Sequence, residues 1–398
     1  MSSPQTLHIR PPFRAEHIGS FFRPATLYQK RELFEKKECS REELRKYEDE
    51  AIKEIVQLQK KAGVKTITDG EMRRGLFFEG IFDKIQGMKA LMRPVHEYKE
   101  YIPHVRVMYA NGVKSGPSFF CDGKLKRTVG FYTEDFKYLK SLVEPEEVKH
   151  LKVTMGAPNW IHQRHGCDQT YDLSVYKNDE EYFTDLGIAY REEVAELYAL
   201  GCRHIQIDNP TFCYFCDETM IAGMKKAGLD PEAQLDAYIH AMNLCTQGRP
   251  VDLTMGVHMC RGNYRGMHYA EGGYDRIAVK LFNDLDVDTF YLEYDTERAG
   301  DFAALKHLPP TKSAVLGLMT TKNANLETVE ELKTRITQAV DAMCSGEIKR
   351  TREEALNQLC ISTQCGFASA WQGNPITEED QLKKLQRLVE TAQQVWKE

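Results

Sequence analysis

Short apolar runs recur along the chain, and between them lie longer stretches in which apolar residues return every third or fourth position. The first pattern reads as buried strands and the second as helices with one apolar face. Strands are expected at 17–24, 64–68, 153–156, 204–208, 252–257, 289–293, 314–318 and 359–362. Ser40-Arg41-Glu42-Glu43 has the spacing of a capping box, in which serine and glutamate satisfy each other's backbone N–H groups. It opens a helix with the apolar face Leu44, Tyr47, Ala51, Ile55 and Leu58, which Gly63 stops. Further helices are expected from about 178, over 231–246 and 273–283, along Leu326, Val329, Leu332, Ile336, Ala339 and Met343, and over 377–396.

Eight short apolar strands alternating with helices predict an α/β fold, a (β/α)8 TIM barrel. The interval between the second and third strands is too long for one helix. Residues 95–135 are expected to form a β-hairpin insertion there, over the barrel mouth. Residues 1–13 read as a flexible tail and 14–398 as a single barrel domain, without internal repeats or linkers.

Composition narrows the function classes. With 42% apolar and 28% charged residues, the chain suits a soluble globular protein. Its net charge of −6 offers no basic face for phosphates, so nucleic acid is not an expected partner. It has no uninterrupted apolar run of about 18 residues, as a membrane span requires, and its first residues lack the apolar core of a signal peptide. Eleven cysteines, an odd number at irregular spacing, predict free thiols in a reducing compartment, the cytoplasm. A cysteine at a strand end is then a candidate for metal ligation or catalysis.

In such a barrel, functional groups gather at the C-terminal ends of the strands. Val257-His258-Met259-Cys260-Arg261-Gly262-Asn263 leaves the fifth strand there. Residues i and i+2 of an extended segment point the same way, so His258 and Cys260 aim an imidazole and a thiol at one point. Glu293 ends the neighbouring strand, and Cys365 follows the last one. A lone His or Cys at a strand end is usually just packed or hydrogen-bonded, but together the four supply the donors of a tetrahedral zinc site. Cys213-Tyr214-Phe215-Cys216 is a lone Cys-x-x-Cys, a weaker metal or redox candidate whose other reading is loop packing.

Several of these stretches carry a resemblance. His258-Met259-Cys260, Ile205-Gln206-Ile207-Asp208, His17-Ile18-Gly19-Ser20 and Gln364-Cys365-Gly366 resemble the C-terminal catalytic barrel of cobalamin-independent methionine synthase. Gly19-Ser20-Phe21-Phe22-Arg23-Pro24 and Thr68-Asp69-Gly70-Glu71-Met72-Arg73-Arg74 bring it closer to the short single-barrel relatives that lack the N-terminal half. The resemblance covers about 14–395. It implies Zn2+ on His258, Cys260, Glu293 and Cys365, and an amino-acid substrate bound by Ser20, Glu71 and Asp208.

The chemistry agrees with that reading. Glu71 and Asp208, carboxylates from separate strand ends, suit an ammonium group; their other reading is pairing with Arg73 or Arg74. Ser20 and nearby turn amides suit a carboxylate. Arg23 would neutralise an anionic substrate or else sit solvated at the surface. Trp160 either faces a pterin ring or packs in the core. A free thiol with a pKa of about 8.5 is mostly protonated at neutral pH, and zinc deprotonates it while leaving the sulfur nucleophilic.

The function this implies is zinc-dependent methyl transfer from a methyl-folate-type donor to homocysteine or a related thiol, giving methionine. The alternatives are alkyl transfer or thioether dealkylation with another donor, a metal-free lyase or decarboxylase, and a non-catalytic zinc or sulfur-amino-acid-binding protein. Two positions depart from the family's pattern. Asn209 stands where a glutamate follows the aspartate. The stretch Gly317-Leu318-Met319-Thr320-Thr321-Lys322-Asn323 has no histidine to serve as general acid, leaving Lys322 as acid or as contact for a solvent anion. The expected partners are small molecules, and a homo-oligomer is left open.

Overall fold

The structure is a computed structural model that describes residues 10–397, apart from the side chain of Cys167. Among these residues the helix Arg41–Ala62 starts on the expected capping box. Ser40 Oγ accepts the Glu43 N–H at 3.2 Å, and Glu43 Oε2 accepts the Ser40 N–H at 2.9 Å. Its buried side includes Leu44, Ala51, Ile52, Ile55 and Val56, whereas Tyr47 is exposed beneath Lys30 Nζ.

Two strands pair antiparallel, β1 (Ile85–Pro94) and β2 (Ser115–Arg127). Six more form a parallel sheet in chain order: β3 (Lys152–Gly156), β4 (His204–Asp208), β5 (Thr254–Met259), β6 (Thr289–Glu293), β7 (Ser313–Met319) and β8 (Leu359–Thr363). These six are buried nearly throughout, which is why each stood out as an unbroken apolar run. Helices lie between them, among them Asp179–Leu200, Pro231–Thr246, Asp275–Asp284 and Val329–Cys344, with Glu378–Trp396 after β8. Leu326, expected on the helix after β7, lies before its cap, Thr328.

The first two expected strands are different. Neither 17–24 nor 64–68 forms a ladder. Single parallel bridges join Ala15 to Ile361 in β8 and Ile67 to Leu151 beside β3. The Glu16 N–H donates to Ile361 O at 2.8 Å, and the Lys152 N–H to Ile67 O at 2.9 Å. Beyond the bridges, side chains take the place of a neighbouring strand. The Gln59 amide satisfies both the N–H and the carbonyl of Thr68 at 2.9 Å, and Thr68 Oγ1 donates to Gly19 O at 2.8 Å.

The antiparallel pair begins at Ile85, earlier than the expected 95, and the helix Pro103–Ala110 lies in its connection. Glu193 anchors its far end: this buried carboxylate accepts the Phe131 and Tyr132 N–H groups and the Arg127 guanidinium. Of the expected tail, residues 1–9 lie outside the described residues, but Pro11, Pro12 and Phe13 are buried, and Thr254 Oγ1 donates to Pro11 O at 3.0 Å.

Between the strands lies a polar relay. Lys152 and Glu16 form a fully buried ion pair at 3.2 Å, and Lys152 Nζ also donates to Gln206 Oε1 at 3.0 Å. Gln206 Nε2 in turn donates to Ile18 O at 2.8 Å and Asp208 Oδ1 at 2.7 Å. The relay ties the first segment to β3 and β4 and orients Asp208 at the strand end. No helix among the described residues is long and apolar enough to cross a membrane.

Candidate metal and substrate site

β5 runs two residues further than expected, so His258 lies within it and Cys260 just beyond. Cys365 follows β8. One ligand atom each from His258, Cys260 and Cys365 lies within 4.8 Å of the others, and all three residues are buried. Asn263 holds the two loops together, its Nδ2 donating to Gly366 O at 2.8 Å. Gly366 permits the approach of Ser20, whose Oγ would stand 1.9 Å from a Cβ there.

This donor set fits a zinc ion. The two Sγ atoms are 3.7 Å apart; thiolates about 2.3 Å from a tetrahedral zinc stand about 3.8 Å from each other. Among the described residues neither ring nitrogen of the buried His258 has a hydrogen-bond partner, whereas buried polar groups ordinarily have one. Contact with Cys260, and then with His258, pushes the Cys365 thiol well below its usual range, while contact with Cys365 pushes Cys260 well above it.

Glu293 does not join the three. Its Oε2 accepts the Arg261 N–H at 2.8 Å, and its Oε1 pairs with Arg298 at 2.5 Å. Burial opposes its ionisation, but the charges of Lys322, Arg261 and Arg298 outweigh that and hold the carboxyl below its ordinary range. It therefore borders the cluster through the backbone next to Cys260. Lys322 donates to Gly262 O at 2.9 Å and does not line the cleft that opens on the sulfurs.

That cleft has a volume of about 490 Å³, and Ser20, Glu71, Asp208, His258, Cys260 and Cys365 all line it. Burial pushes the Asp208 carboxyl up to about 7, and Glu71 is raised for the same reason against the charges of Arg74 and Arg23. Glu71 Oε1 accepts from Thr154 Oγ1 at 2.9 Å, while its buried Oε2 has no hydrogen-bond partner among the described residues. Two buried carboxyl groups, both raised toward the protonated form, thus lie on the wall of the cleft.

Other expected residues are placed elsewhere. Arg23 is buried rather than solvated and faces away from the cleft. Its guanidinium donates to the carbonyls of Arg74, Ala368 and Glu71, each at 3.0 Å, so it fixes the loop that carries Glu71. Arg73 binds Asp49 and Asp135, leaving Arg74 as the arginine beside Glu71, at 3.7 Å. Asn209 is buried in a network with Asn159 and Thr211. Burial pushes the Cys213 thiol up to about 12, and Cys216 is raised too; both pack as neutral thiols. Trp160 lines the cleft, but His104 stacks on it and Phe77 and Phe78 abut it.

Sequence reasoning missed Arg298, which holds Glu293, and His104 and Arg164, which line the cleft. None ends a strand, and nothing in the periodicity marks them.

The model of the cobalamin-independent synthase catalytic domain matches residues 13–116 and 169–394. This chain belongs to that family. The cobalamin-independent synthase match leaves out 117–168, the stretch that carries β3, Trp160 and Arg164. The chain is 33% identical to the uncharacterized protein YxjH of Bacillus subtilis, over 97% of this chain and 95% of that one. It is 25% identical to a methionine synthase of Saccharolobus solfataricus, over 81% of this chain and 82% of that one. A crystal structure of a candidate vitamin-B12-independent methionine synthase from Listeria monocytogenes superposes with a TM-score of 0.73 at 30% identity, covering 98% of this chain and 99% of that one.

Proposed function

We propose that the chain is a zinc-dependent thiol methyltransferase of the cytosol that moves a methyl group from a methyl-folate-type donor to homocysteine or a closely related amino-acid thiol. The observation that carries this reading is the trio His258, Cys260 and Cys365 at one end of a cleft whose wall also holds Glu71 and Asp208. A thiol amino acid has both features to satisfy, a sulfur and an ammonium. The sheet supports a closed barrel on this reading, with the segments around Ala15 and Ile67 completing the ring through their bridges to β8 and β3.

Each side chain then has a task. Glu71 and Asp208 bind the ammonium, which relieves their mutual repulsion, and Gln206 keeps Asp208 turned toward it. Ser20 lies where a carboxylate can accept its hydroxyl. Arg23 positions Glu71 through the backbone. His258, Cys260 and Cys365 would hold a zinc ion, which when bound acidifies a thiol while leaving its sulfur nucleophilic.

A donor set of three favours transfer over a closed structural zinc. Structural sites are almost always filled by four protein ligands, whereas catalytic ones keep a position open. Glu293 is held by Arg298, so a zinc ion on the three other residues would keep a place for the substrate sulfur. Zinc-edge X-ray absorption with and without homocysteine tests this directly. The expected result is one additional sulfur neighbour, with methionine formed when 5-methyltetrahydropteroylglutamate is added. Zinc coordination indifferent to homocysteine sinks the reading.

A further inference from the structure

His104 is the second residue of the helix Pro103–Ala110, in the connection between β1 and β2. It is 5% exposed, lines the same cleft as the sulfur cluster, and stacks on Trp160 at 5.3 Å and 28°. Neither of its ring nitrogens has a hydrogen-bond partner among the described residues. A buried polar group left unmatched is destabilising, so the ring's position calls for something that satisfies it. Burial, and then the charge of Arg164, hold His104 neutral, which gives it one N–H donor and one bare nitrogen acceptor.

Arg164 sets the sign of what fits. It is 4% exposed, donates to Pro117 O and to the Tyr98 hydroxyl at 3.1 Å, and forms no ion pair among the described residues. Its Nε also lacks a partner. A buried guanidinium without a counter-charge repels cations and favours electron-rich or anionic groups. The ring centroids of Tyr214 and Tyr269 stand 5.9 Å and 6.3 Å from that of His104, and the Tyr269 N–H donates at 2.7 Å to the carbonyl of Arg261, the residue after Cys260. This aromatic wall therefore runs from the insertion to the thiols.

We propose that His104 contacts and selects the second substrate, an uncharged or anionic aromatic heterocycle that presents a hydrogen-bond donor and acceptor to the imidazole, and not a sulfonium or quaternary ammonium. This rests on the methyl-transfer reading only in taking the sulfur cluster as the place the second substrate must reach.

Calorimetric titration of the zinc-loaded protein separates the two ideas. The probes are 5-methyltetrahydropteroylglutamate, an anionic pteridine, and S-adenosylmethionine, a sulfonium, against the wild type, His104→Phe and His104→Asn. Zinc content and homocysteine binding in each variant report that the fold is kept. The expected result is pteridine affinity reduced about tenfold or more in His104→Phe, and less in His104→Asn, which retains a donor and an acceptor. Equal pteridine affinity in the wild type and both variants overturns the proposal, as does a wild type that prefers the sulfonium or binds neither probe. A wild type that fails to bind homocysteine strikes the thiol-transfer reading, while its pteridine titration still decides the role of His104.

Discussion

Glu293 and Cys365 entered the sequence argument on equal terms, yet the folded chain uses them differently. Cys365 reaches Cys260 at 3.7 Å, whereas Glu293 spends its oxygens on Arg298 and on the N–H of Arg261. A carboxylate buried without a partner costs several kcal/mol, and Arg298, five residues on in the loop after β6, supplies the partner. Cys365→Ser should therefore abolish stoichiometric zinc. Glu293→Gln should keep it with affinity weakened about 10–100-fold, as for a residue that supports ligands from behind. Metal analysis with competitive chelation checks both; equal loss in the two variants would make Glu293 a direct ligand, as its place at a strand end suggested. His258 and Cys260 were legible because strand geometry fixes where i and i+2 point. Arg298 and His104 were not, because the reach of a loop side chain has no period.

At the scale of elements, the parallel strands were legible nearly to the residue, since burial on both faces leaves an unbroken apolar signature. The segments around Ala15 and Ile67 carry similar runs, but Gln59 and Thr68 side chains take the hydrogen bonds that ladders would have made, a substitution no pattern announces. The antiparallel pair was placed too late because its first strand, Ile85–Pro94, alternates only weakly between buried and exposed positions. Glu193 gives that pair a testable dependence. Glu193→Ala leaves the Phe131 and Tyr132 N–H groups without their acceptor and Arg127 with Glu196 as its carboxylate partner, a loss of about 1–3 kcal/mol for each buried N–H left unsatisfied. Hydrogen exchange should then lose protection first in β1, β2 and the residues up to Tyr132, with β3 to β8 retained. Uniform loss across the parallel sheet would show that the pair is not a separate unit.

The molecule as a whole buries several histidines in neutral form, and this sets how it meets acid. Burial, then the charge of Lys152, lowers His17 to about 3 and takes His204 well below its usual value. His17 Nε2 bonds to Thr66 O at 3.0 Å, and Lys152 stays within its ion pair with Glu16. In the unfolded chain each histidine takes up a proton below about pH 6.5; in the folded chain His17 does so only near pH 3. Across that window the unfolded state binds more protons, so stability falls as pH falls, by up to about 1.4 kcal/mol per pH unit for each histidine. His17→Gln keeps a donor for Thr66 O and removes one titrating group. Its unfolding free energy, followed by urea titration between pH 6 and 4, should decline less steeply than that of the wild type by about one proton's worth. Acid protonation of the thiol cluster affects both proteins alike and cancels in the comparison. Parallel pH profiles would mean that His17 is protonated inside the fold, and that the positive charge of Lys152 is better screened than the buried pair with Glu16 allows.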